Sequence, residues 1–159
     1  MSNIKIKSIL EYDIVNYYKP NMFIIFPNCT FKCEKDCGIE CCQNSTLVNS
    51  KTIEIDIDKI IYKYINNPLT HAVVCGGLEP FDSFSDLLKL ITKLRAVNDD
   101  DIVIYTGYNK DEISMYLKEL SPFNNIVIKY GRYIPNSKTI YDSVLGVNLA
   151  SDNQYAERL

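Results

Sequence analysis

The chain has 159 residues, 47% of them hydrophobic and 23% charged, with 17 basic against 20 acidic side chains and a net charge of −3. That is the size and balance of a single domain over residues 1–159, and no stretch approaches the roughly 18 apolar residues that a membrane span requires. The charges are interspersed, with no basic stripe to follow a phosphate backbone, so neither nucleic acid nor membrane is an expected partner.

Met1-Ser-Asn-Ile-Lys-Ile-Lys-Ser lacks the apolar core of a secretion signal, and the expected location is the cytoplasm. Residues 4–9 read as an extra strand at an edge. Residues 22–26, closed by Pro27-Asn28, are a short apolar run of the kind that forms a buried strand. Five of the six cysteines then fall between Cys29 and Cys42. Beyond them Ile57, Ile60, Ile61, Tyr64 and Ile65 recur at helical spacing until Asn66-Asn67-Pro68.

Residues 72–75 predict a second buried strand broken by Gly76-Gly77. Phe84, Leu87, Leu88, Ile91 and Leu94 predict an amphipathic helix with Ser83 at its N-cap. Residues 102–105 predict a third strand ending at Thr106-Gly107. Asn109 and Glu112 have the spacing of a capping box ahead of Ile113, Tyr116, Leu117 and Leu120. Residues 126–130 predict a fourth strand, stopped by Gly131, and residues 144–148 a fifth; residues 151–159 read as a polar tail. Asp99-Asp100-Asp101 reads as a solvated turn, His71 as a surface or turn residue, and Cys75 as a core thiol.

Alternating strands and helices imply an α/β fold, with a mostly parallel sheet of about five to six strands in a partial (β/α) barrel. In such a sheet the cysteine run, Gly76-Gly77, Thr106-Gly107, Gly131 and residues 151–154 all follow strands. They are therefore expected together at the carboxyl edge, where parallel α/β folds build ligand sites.

In a reducing compartment a crowded set of thiols reads as metal or redox chemistry before disulfides. Three readings stand. Cys29, Cys33, Cys37 and Cys41 are four apart, which on a helix makes a stripe of small core residues. Zinc takes four ligands, commonly in two knuckles and often with histidine, whereas His71 is remote in sequence. An iron–sulfur cluster takes thiolates from one loop, and a cluster with three protein ligands leaves one iron open.

The chain resembles the radical S-adenosylmethionine superfamily, and within it the activating proteins of anaerobic ribonucleoside-triphosphate reductases. Cys29-x3-Cys33 after the first buried strand is similar to the first half of the family's Cys-x3-Cys-x2-Cys. Gly76-Gly77-Leu78-Glu79-Pro80 is similar to its Gly-Gly-Glu/Asp-Pro, with Leu78 as one extra residue. The segment ending in Thr106-Gly107-Tyr108 resembles its Thr-Gly-Tyr strand end, and Ser151-Asp152-Asn153-Gln154 its closing Gly-Ser-x-Asn-Gln.

Asp36 stands where the third cysteine usually falls. Cys42-Gln43-Asn44 is the best match for that ligand, with Cys37 and Cys41 as rivals. The resemblance implies a 4Fe–4S cluster held by Cys29, Cys33 and Cys42 at the carboxyl edge, with its open iron chelating S-adenosylmethionine. It also implies a low-potential electron donor. Reductive cleavage would then release methionine and a 5′-deoxyadenosyl radical, which takes a hydrogen from a glycine of the reductase. Gly76 and Gly77 would let the backbone approach the ligand, and Glu79 would counter its ammonium group. Thr106, Tyr108 and Asn153 are further candidate contacts, and no residue beyond the cluster ligands is assigned to catalysis. Two other functions remain open: the same chemistry on another glycyl-radical enzyme or a small molecule, and a noncatalytic zinc or iron–sulfur binding module.

Overall fold

The computed structural model describes residues 2–28 and 50–159. The cysteine run from Cys29 to Cys42, and with it every expected cluster ligand, lies outside the described residues. In chain order the strands are β1 (Asn3–Ile6), β2 (Ser8–Asp13), β3 (Asn21–Phe26), β4 (Ile53–Asp56), β5 (Ala72–Gly77), β6 (Asp101–Tyr105), β7 (Ile126–Tyr130), β8 (Ile140–Asp142), β9 (Val147–Leu149) and β10 (Tyr155–Arg158). The helices are α1 (Ile57–Ile65), α2 (Phe84–Val97) and α3 (Ser114–Leu120). Single 3₁₀ turns, Pro80–Ser83 and Lys110–Ile113, lead into α2 and α3.

The four apolar runs become the parallel strands β3, β5, β6 and β7 at the middle of a six-stranded sheet ordered β10-β7-β6-β5-β3-β2. Strands covered on both faces read as continuous apolar segments without alternation, and these do apart from Lys129 in β7. Ile24, Cys75, Ile104 and Ile128 stand in register on the face that meets the three helices, packed with Ile57, Ile60, Leu87, Leu90, Ile91 and Leu120. Ile25, Val74, Val103 and Val127 point the other way. That second face is closed by Tyr17 from the β2–β3 connection and by Leu145 and Leu149 near the β8–β9 hairpin.

The sheet is open, since its edges β10 and β2 each pair antiparallel with a single neighbour in it, β7 and β3 respectively. No closed barrel forms among the described residues, and the parallel core matches the sequence reading. Helix α1 begins where its pattern predicts, with the Asp56 carboxylate accepting the Asp58 N–H at 3.0 Å. Ser83 holds the N-cap position of α2 but makes no side-chain capping bond. The Asn109–Glu112 box forms, Glu112 Oε1 accepting the Asn109 N–H at 2.9 Å, but it opens a 3₁₀ turn before α3.

Several local expectations are corrected. The segment expected at residues 4–9 divides into β1, which pairs with the unforeseen β4, and β2, which borders the main sheet. Residues 144–148 do not form a fifth parallel strand; among the described residues β9 pairs with β8 alone, antiparallel. The polar tail is β10, antiparallel to β7 from Tyr155↔Tyr130 to Arg158↔Val127.

The aspartate triplet is not simply a solvated turn, because Asp101 is buried. Its carboxylate accepts the Tyr17 hydroxyl at 2.6 Å, Lys19 Nζ at 3.0 Å and an Arg158 guanidinium N–H at 2.9 Å. Burial alone would raise the pKa of this group. The bonds from Arg158, Tyr17 and Lys19 outweigh it and hold the carboxyl well below the usual range. One side chain thereby joins the sheet's two outer segments to its centre at the amino edge. Asp101→Ala is expected to cost about 3 kcal/mol in urea unfolding, because it leaves a buried hydroxyl and two cationic groups without their shared acceptor. A loss below about 0.5 kcal/mol would show that the knot contributes nothing.

Candidate functional site at the carboxyl edge

The expected punctuation sites that fall among the described residues converge on one edge, and hydrogen bonds link them in series. Glu79 is the centre. Its N–H donates to the Asn28 carbonyl at 2.7 Å, just beyond the end of β3, and Cys29 follows Asn28 directly in sequence. Its carboxylate is buried and accepts two backbone donors, Phe81 N–H to Oε1 at 3.1 Å and Gly107 N–H to Oε2 at 2.8 Å. One residue therefore fastens together the ends of β3, β5 and β6.

The series continues toward β10. Thr106 is buried, donates its N–H to the Lys129 carbonyl at 2.9 Å, and accepts the Tyr108 N–H on its hydroxyl at 3.0 Å. The Tyr108 hydroxyl donates to Asp82 in the turn after Glu79, at 2.5 Å, and its carbonyl accepts the Gly131 N–H at 3.1 Å. Exposed Asn153 donates Nδ2 to the Arg132 carbonyl at 2.8 Å, and Gln154 donates to the Gly131 carbonyl at 3.2 Å. Residues 151–154 reach this edge for a reason other than the one expected. They precede an antiparallel strand, whose amino end lies beside the carboxyl end of β7.

Gly76 and Gly77 are required by packing within the chain. A Cβ at Gly76 would lie 3.0 Å from the Phe23 ring, and one at Gly77 would strike the Ile25 side chain. Gly77 also has φ of +84°, which L side chains rarely adopt. The room left by their missing side chains is filled by β3. Cys75 is a sealed core thiol, its pKa pushed up to about 12 by burial, and His71 is exposed, both as the sequence indicated.

Three contributors escaped the sequence reading: Asn28, Asp82 and Arg132. Asn28 donates to the Ser83 hydroxyl at 2.9 Å, and Arg132 pairs with Glu112 at 2.6 Å. Each lies within three residues of a recognised motif, and adjacency was the available signal. Among the described residues, no group of three His, Cys, Asp or Glu side chains is placed to hold a metal ion. No helix among them is long and apolar enough to cross a membrane.

Burial raises the pKa of Glu79 to about 7, against the lowering effect of its bonds from Gly107, Phe81 and Thr106. Because the folded value exceeds the unfolded one, the native state binds the extra proton between about pH 4.5 and pH 7, so stability falls as pH rises through that window. Glu79→Gln should flatten the fall, by about 3 kcal/mol at most, when urea midpoints are compared at pH 5 and pH 8. An unchanged pH profile in the variant would remove Glu79 as its source.

Residues 21–154 match the model of the family described as a 4Fe-4S single cluster domain. No curated protein matches the chain.

Proposed function

Since the chain belongs to the 4Fe-4S single cluster domain family, we propose that it is a radical S-adenosylmethionine activating enzyme, one that installs a glycyl radical on an anaerobic ribonucleoside-triphosphate reductase. The observation that carries this reading is the clasp from Asn28 through Glu79 to Gly107. It draws the chain entering the cysteine run against the segments that resemble the family's ligand-binding motifs.

The donor set fits the cofactor, because five thiols within 14 residues supply the three ligands such a cluster needs and thiolate is the ligand iron–sulfur clusters prefer. Cys29, Cys33 and Cys42 are the proposed ligands. When bound and reduced by a low-potential donor, the cluster supplies the electron that cleaves S-adenosylmethionine.

The chain's own contribution is placement. Glu79 spends both carboxylate oxygens on backbone N–H groups, so its proposed service to the ligand is to hold the segment 76–80 against Thr106-Gly107-Tyr108. Tyr108, fixed at its hydroxyl by Asp82 and at its carbonyl by Gly131, keeps the β6 and β7 ends at a set spacing. Asn153 does the same for the turn beside Arg132.

Packing on the sheet's second face favours a macromolecular substrate over a small one. Tyr17, Leu145 and Leu149 occupy that face, and the Tyr105 hydroxyl is tied to the Asn16 carbonyl at 2.6 Å. An abstractable hydrogen must then be presented from outside, at the carboxyl edge, as a loop of another protein can do.

Anaerobic protein reconstituted with iron, sulfide and a strong reductant should split S-adenosylmethionine into equal amounts of methionine and 5′-deoxyadenosine. Addition of the reductase should then produce a glycyl-radical EPR doublet. Cys29→Ala, Cys33→Ala and Cys42→Ala should each abolish cleavage, and Cys37→Ala and Cys41→Ala should retain it. Full activity in Cys42→Ala with loss in Cys37→Ala would move the third ligand to Cys37. Protein that takes up zinc and no iron would overturn the radical reading.

A further inference from the structure

The residue that precedes the cysteine run is held by its side chain as well as by its main chain. Beyond the last partners of the β3–β5 ladder, Phe26 and Gly77, the two segments stay together. Leu78 donates its N–H to the Phe26 carbonyl at 3.4 Å, and Glu79 donates to the Asn28 carbonyl at 2.7 Å. Pro27, between those acceptors, is buried and has no N–H to satisfy. The Asn28 side chain then reaches the far end of the turn Pro80–Ser83, where Nδ2 donates to the Ser83 hydroxyl at 2.9 Å. Asn28 is therefore fastened to both ends of one turn.

We infer that the bond from Asn28 to Ser83 positions Cys29, the first proposed cluster ligand and the next residue in the chain. The inference rests on Cys29 being a ligand and not on the radical chemistry. A single bond at the Asn28 carbonyl would let the chain pivot about it. A second bond from the side chain removes that rotation, as the outer partners of a metal site do for its ligands.

The turn is a firm support. Pro80 and Phe81 are buried, Glu79 Oε1 accepts the Phe81 N–H at 3.1 Å, and Asp82 accepts the Tyr108 hydroxyl at 2.5 Å. Ser83 stands at the N-cap of α2, where a serine hydroxyl ordinarily accepts a helix N–H, yet it makes no such bond. Its oxygen is given to Asn28 instead. Asn28 is exposed, so water competes for its amide and the bond adds little to folding. What the bond fixes is the direction in which the chain leaves β3.

Removal of iron from the full chain tests this. The oxygen-free protein is reconstituted with iron and sulfide, and iron loss to the ferrous chelator bathophenanthroline disulfonate is followed by absorbance. Asn28→Ala and Ser83→Ala should each speed the loss about fivefold, the worth of one ordinary hydrogen bond. The double variant should lose iron no faster than either single one, because both changes remove the same bond. Ser83→Thr keeps the hydroxyl and should match the unaltered protein, and far-UV circular dichroism should stay native throughout. If Asn28→Ala misfolds, the contrast between Ser83→Ala and Ser83→Thr decides alone. An unaltered rate in Ser83→Ala, additive effects in the double variant, or unaltered protein that assembles no cluster would each overturn the inference. Protein that holds its cluster but leaves S-adenosylmethionine intact overturns the activating-enzyme reading alone.

Discussion

A buried carboxylate, with no cation beside it among the described residues, is held at the carboxyl edge by backbone N–H groups, and the arrangement of that edge depends on it. Glu79 accepts from Phe81 and Gly107 and donates its own N–H to Asn28, so three consecutive parallel strands end in one hydrogen-bonded junction. A lysine partner would have neutralised the charge but introduced a long, mobile side chain. Backbone donors are fixed by the strand ends themselves, so they hold the junction with little loss of side-chain freedom. The cost is the desolvation that raises the pKa of Glu79 toward neutrality.

The two edges of the sheet are organised by the same means. Asp101 at the amino edge gathers Tyr17, Lys19 and Arg158, and Glu79 at the carboxyl edge gathers Asn28, Phe81 and Gly107. The difference lies in the partners. Asp101 has two cations and is held ionised, consistent with a permanent structural knot. Glu79 has dipoles alone, among the described residues, and its charge responds to pH near neutrality. The amino edge is built to stay closed, and the carboxyl edge holds the carboxylate whose charge changes near neutrality.

What the sequence revealed was governed by how local the signal is. Strands β3, β5, β6 and β7 announce themselves because burial on both faces leaves them as apolar runs, with Asn21 and Asp101 only at first positions and Lys129 near the end of β7. Helix α1 is readable from Ile57, Ile60, Ile61 and Tyr64 on one face. Strand β10 was missed because Tyr155, Glu157 and Arg158 look solvated in isolation. Only Ala156 of its four residues is buried.

Asp101 was misread for the related reason that its partners Tyr17 and Arg158 lie 84 and 57 residues away, beyond any window. At the candidate site the motif positions were legible, and the pairing of Glu79 with Gly107 was not. The glycines stand at the end of β5, where Phe23 and Ile25 of β3 occupy the space that a Cβ would take.

Cys75 gives the fold a practical property. The thiol sits in the middle of β5, with no exposed surface and its ionisation suppressed. Thiolate is the form that alkylating and disulfide reagents attack, so this sulfur is silent in the native protein. Thiol counting on the intact molecule therefore reports on the run between Cys29 and Cys42 alone. The difference between native and denatured counts contains this one core sulfur together with any that a bound metal shields.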